Sequence, residues 1–129
     1  MERTVGKAEA MDNDSMEIRK RIEEVLELIS SEGAQVEYQR KVPSVSVSTE
    51  IFSQWEDWYH PGSSSFDAAF DDATLSALAE FNRVFEAVCD ETPQLLPPLE
   101  ELIRTPAWTR YRDGARQALA LIRGKGARR

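Results

Sequence analysis

Glu56, Asp57 and His60 come nearest to a catalytic set in this chain. The two carboxylates precede the single histidine by four and three positions, so a helix through them would set an acid beside the imidazole. Such a pair serves a general base or one side of a metal centre, and a small metal-dependent hydrolase is the activity it would suit. Metal sites on helices want a second histidine or more acids at matching spacing, and the sequence supplies neither. The plainer reading places His60 at the C-terminal end of its helix, where a cation is favoured. Cys89, the one cysteine, ends an apolar stripe with no base beside it and reads as a small hydrophobe. The glycines form neither G-x-x-x-x-G-K-[ST] nor G-x-G-x-x-G, and no serine sits in a G-x-S-x-G elbow. No cofactor is expected.

The elements that would position these side chains are helices. Ile18, Ile22, Val25, Leu26 and Ile29 recur at helical spacing after a capping signal at Asp14 or Ser15, and Gly33 is placed to end that helix in a left-handed cap. Residues 34–41 read two ways: Val36 and Tyr38 alternate as in a strand, while Ala, Gln, Glu, Arg and Lys favour a short second helix, the reading preferred. VPSVSVS then alternates, which predicts an extended segment near 42–47. Ser48 or Thr49 is the expected cap of a helix carrying Ile51, Phe52, Trp55, Trp58 and Tyr59, which His60-Pro61-Gly62 stops. Phe66 and Phe70 predict one short turn that pins the serine loop. Asp71 or Asp72 should cap a helix from Ala73 to Cys89, with Leu75, Leu78, Phe81, Val84, Phe85 and Val88 inward. Pro97 or Pro98 starts a short helix over 99–103. Thr105-Pro106 starts the last one, which buries Trp108, Tyr111, Ala115, Ala118, Leu119 and Ile122 and ends at Gly124. The fold expected is mainly α, an irregular bundle of five or six helices over 14–123, between a mobile leader (1–13) and a basic tail (124–129).

Composition narrows the function further. A chain of 129 residues is one domain long enough for its own core. With a single cysteine, no apolar signal core in MERTVGKAEAMDNDS and no apolar run near the ~18 residues of a membrane span, a cytoplasmic protein that neither spans nor coats a membrane is expected. The net charge of −7 is uneven: residues 42–101 carry twelve acids and one base, whereas 102–129 carry one acid and eight bases. The acidic block repels nucleic acid and attracts basic proteins. The arginines of the last helix do not share a face and are expected to pair with the protein's own acids rather than bind nucleic acid.

An acidic surface with aromatic anchors is the composition of a docking face for a basic partner. The residues in question are Glu50, Glu56, Asp57, Asp67, Asp71 and Asp72, with Trp58 and Tyr59 as anchors. In general style, the segments FSQWEDWYHPG, FDAAFDDATLSALAEFNRVF and TPAWTRYRDGARQALALI resemble the bacterial immunity proteins of polymorphic and contact-dependent toxin systems. The likeness is one of texture and covers most of residues 45–122. It implies one-to-one binding to a cognate toxin domain and masking of a basic active-site cleft. A nucleic-acid mimic of the kind phages use against nuclease complexes is the alternative, and would need acids spaced regularly along an elongated surface. An adaptor that packs its acidic face on a basic neighbour is a third reading. The oligomeric state is left open.

Overall fold

The amphipathic stripe beginning at Ile18 folds as α1 (Asn13–Ile29), whose Ile22, Val25, Leu26 and Ile29 are buried. The computed structural model describes residues 13–93 and 96–127, with the side chains of 125–127 excepted. The expected leader, apart from Asn13, lies outside the described residues. Gly33 does not end α1. The chain turns at Ser30, and Ser31 caps a second helix, α2 (Glu32–Lys41), by accepting the Ala34 N–H at 3.0 Å. Gly33 falls within the first turn of α2, because a serine cap two residues earlier satisfies the new helix before a left-handed glycine is needed. Among the described residues the positive φ belongs to Gly62, at 96°.

The extended segment expected near 42–47 is a turn. The Gln39 side-chain amide donates to the Val42 and Val45 carbonyls at 3.1 and 2.7 Å, and its oxygen accepts the Val47 N–H at 3.2 Å. One side chain thus satisfies backbone groups that a strand would have paired with a neighbour. Ser46, ahead of the expected Ser48 or Thr49, caps α3 (Val47–Trp58). The short turn at Phe66 is α4 (Ser64–Ala68), and Phe66 and Phe70 are both buried. Asp71 caps α5 (Asp72–Glu91) through the Thr74 N–H at 2.8 Å. After α6 (Leu99–Leu102), Thr105 accepts the Trp108 N–H at 3.2 Å, and Pro106 opens α7 (Pro106–Ala127). Gly124 does not stop α7, which runs three residues further. A helical glycine costs only about 1 kcal/mol, too little to end a helix already held by two neighbours.

Four long helices form the bundle. α7 runs antiparallel to α1, since Arg112 meets Glu32, the first residue of α2 just past α1's C-terminal end, while Arg123 reaches back to Glu27 within α1. It also runs antiparallel to α5, joined by Arg110–Glu91 near one end and by Gly114 against Phe81 and Val84. A Cβ on Gly114 would stand 3.3 Å from the Phe81 ring, so its absence lets α5 and α7 approach closely. α3 lies along α1 and meets α5 through large side chains: Phe52 on Phe85, and Trp55 edge-on to Phe81 at 4.7 Å. The order is up-down-up-down, with α2 and α6 at one end and α4 at the other. The seven helices, without a strand among the described residues, make an all-α irregular bundle.

Candidate functional site

α3 with its cap Tyr59, α4 and the start of α5 carry the eight side chains expected to dock a partner, and the fold distributes them along the bundle. Glu50 sits half-buried in the first turn of α3, near α6, where the neighbouring Ser48 hydroxyl donates to the Pro97 carbonyl at 3.4 Å. Asp67, Asp71 and Asp72 sit at the opposite end. The twelve residues of α3 span roughly 18 Å, so Glu50 and the three aspartates do not share one spot. Glu56 and Asp57 lie between, both exposed.

The geometry at each position follows from its neighbours. Asp67 accepts the Gly62 N–H at 3.2 Å and closes the loop after α3. Asp71 is the cap of α5, so its carboxylate has a structural task beside any other. Tyr59 stacks on buried Trp55 at 4.7 Å, and Trp55 donates its indole N–H to Asn82 at 2.9 Å. Burial raises the Tyr59 hydroxyl's pKa, with Glu86 adding to the rise and Arg83 opposing it. Trp58 is half-buried under the Arg21 guanidinium, 5.8 Å from its ring centroid, and Arg21 is itself held by Glu17 and Glu24.

Charge pairing divides the acids into two groups. Arg112 binds Glu32 and Asp113, Arg123 binds Glu27, Arg110 binds Glu91, and Arg116 bonds the Ser30 carbonyl. The last helix thus pairs with the protein's own acids, as its sequence implies, but mostly with those outside the acidic block. No ion pair among the described residues reaches Glu50, Glu56, Asp57, Asp67 or Asp72.

The exposure of Cys89 escaped the sequence reading. Burial first, then the carboxylates of Glu56, Asp90 and Glu86, push the Cys89 thiol up to about 11. Cys89 is exposed rather than the small core hydrophobe its stripe suggests, and carboxylates of both α3 and α5 act on it through space. The polar spacing Glu86–Asp90 on α5 was the available signal. A thiol so protonated is a poor nucleophile. The His60 Nε2–H donates to the Asp57 carbonyl at 2.7 Å, at the C-terminal end of α3. Among the described residues no three His, Cys, Asp or Glu side chains are grouped to hold a metal ion.

No family model, curated protein or solved structure matches the chain. Nor is any helix among the described residues long and apolar enough to cross a membrane.

Proposed function

We propose that the chain is a protein-binding inhibitor of the immunity or antitoxin type, which covers a basic active-site cleft of a cognate toxin. The observation that carries this reading is the charge division: α7 draws its arginines to Glu27, Glu32, Asp113 and Glu91, and no ion pair among the described residues reaches the acids of α3 and α4. An unpaired acidic surface raises the encounter rate with a basic partner and sets its orientation. In this role Glu50, Glu56, Asp57, Asp67 and Asp72 supply the field, and Asp71 adds to it while capping α5. The half-exposed edges of Trp58 and Tyr59 give the partner apolar surface at the centre of that field.

The test is capture of the partner from the native host with the tagged chain, followed by expression of the captured protein alone. That protein should arrest growth by itself, and co-expression of this chain should restore it. A captured partner that is harmless alone overturns the inhibitor reading.

A further inference from the structure

Ile29 at the end of α1 and Val47 at the start of α3 have no exposed surface, and residues 30–46 hang between them. All of 30–46 is described, and Gln35 is the one buried side chain in it. Tyr38 and Val42 touch the core from half-buried positions, while Val36 and Val45 stand 51% and 37% exposed. By contrast, four apolar side chains are buried on each of α1 and α5. Two glutamines therefore do most of the holding. Gln35 donates to the Leu28 and Ile29 carbonyls and accepts the Trp108 indole N–H. Gln39 gathers the Val42 and Val45 carbonyls and the Val47 N–H. Glu32 pairs with Arg112, and Arg116 donates to the Ser30 carbonyl at 3.1 Å.

Each of these polar contacts contributes little net, because water takes both partners once the segment leaves, whereas buried apolar surface has no such substitute. Segments poor in buried apolar contacts open locally before the whole molecule unfolds. We infer that residues 30–46 form a strap over Trp108 that opens as one unit, hinged at Ile29 and Val47. The ten residues of α2 make a helix too short to persist alone in water, so detachment and unwinding are one event. Opening uncovers the Trp108 indole, which has no exposed surface while the strap is down, and strips Gln35 from the Ile29 carbonyl. Ser46, the cap of α3, belongs to the strap, so opening also loosens the turn that carries Glu50. None of this depends on the inhibitor reading.

Hydrogen exchange of the isotope-labelled full chain, read by NMR at several low urea concentrations, tests the strap. The Trp108 indole N–H and the backbone amides of 36–41 should give one shared opening constant, at least about tenfold larger than that of the α5 and α7 amides. Its urea dependence should be shallower, because opening exposes less surface than global unfolding. Gln39→Ala tests the coupling, since the Gln39 side chain bonds strap residues and Val47 rather than Trp108 or α7. It should raise the Trp108 and 36–41 constants together, by about tenfold. Trp108 exchanging with the slowest amides of α7 would overturn the strap. So would a Trp108 constant that Gln39→Ala leaves unchanged, because Trp108 would then be reached by a fluctuation of its own. Should Gln39→Ala fail to fold, the wild-type constants and their urea dependence decide alone.

Discussion

The seam between α1 and α7 and the seam between α3 and α5 are closed by different chemistry. Along α1 and α7, arginines reach across to Glu27, Glu32 and the Ser30 carbonyl, and Gln35 joins three elements. Along α3 and α5 the bridging is aromatic, through Phe52, Trp55, Phe81 and Phe85, and the acids at its rim have few cationic partners. Exposed ion pairs contribute roughly 0–1 kcal/mol each, whereas burying a large aromatic side chain contributes several. The difference teaches that stability and charge are handled separately here: rings hold α3 in place, so its carboxylates are not needed to do so.

The sharpest way to break this contrast is to remove one ring and one ion pair in turn. Trp55→Ala should cost about 3–5 kcal/mol in denaturant unfolding, because Trp55 is wholly buried and its indole N–H bonds Asn82. Arg123→Ala should cost under about 1 kcal/mol, since its pair with Glu27 is half exposed. Similar losses from the two would erase the distinction.

Gln35 sharpens it from the polar side. Its amide donates to the Leu28 and Ile29 carbonyls at 2.9 Å each, and its oxygen accepts the buried Trp108 indole N–H at 3.0 Å. Gln35→Leu should therefore destabilise by about 2–3 kcal/mol by stranding those groups. A neutral result would mean that this side, too, is held by apolar packing alone.

Tyr111 is the complementary case on the aromatic side. It is buried with its ring stacked 5.6 Å from Phe81, and its hydroxyl has no hydrogen-bond partner among the described residues. Burial, with Cys89 and Glu56 adding to it, holds its pKa well above the usual tyrosine value. Tyr111→Phe should raise stability by about 1 kcal/mol, read from the same unfolding curves. A loss of that size would show that the hydroxyl is satisfied.

The smallest effect concerns Cys89. A thiol raised from 9 to about 11 is mostly protonated at pH 8, and the lower thiolate fraction is partly offset by the higher nucleophilicity of a basic thiolate. Alkylation by iodoacetamide should run about tenfold slower than for an unperturbed thiol, despite the exposure of Cys89. The sign for stability follows: the thiol's contribution is constant below pH 9 and declines as pH rises from 9 towards 11. Fast alkylation at pH 8 would mean that neither burial nor the carboxylates of Glu56, Asp90 and Glu86 hold the thiol protonated.

Periodicity and caps carried much of this architecture. The α1 stripe, the Asp71 and Thr105 caps and the buried face of α7 follow from spacing that local sequence contains. What escaped depends on distant partners. Leu75 and Val84 are only half-buried because Thr74 takes an interior place, turning α5 so that Cys89 faces out. Gln35, on a stretch whose polar residues hid any stripe, is fully buried because Trp108, seventy-three residues on, needs an acceptor. Likewise, the effect of Glu56 in α3 on the Cys89 thiol of α5 follows from the two helices meeting through their rings, which neither helix encodes by itself.

The most direct test of the claim that α3's acids are kept for a basic partner is the association rate of the captured partner with the wild-type chain and with Glu56→Lys/Asp57→Lys, across ionic strength. Both positions are exposed and outside every ion pair of the described residues, so the variant should fold as the wild type does. The account predicts association slowed about tenfold or more at low salt, with the two rates converging as salt is added. Equal rates at low salt would contradict it.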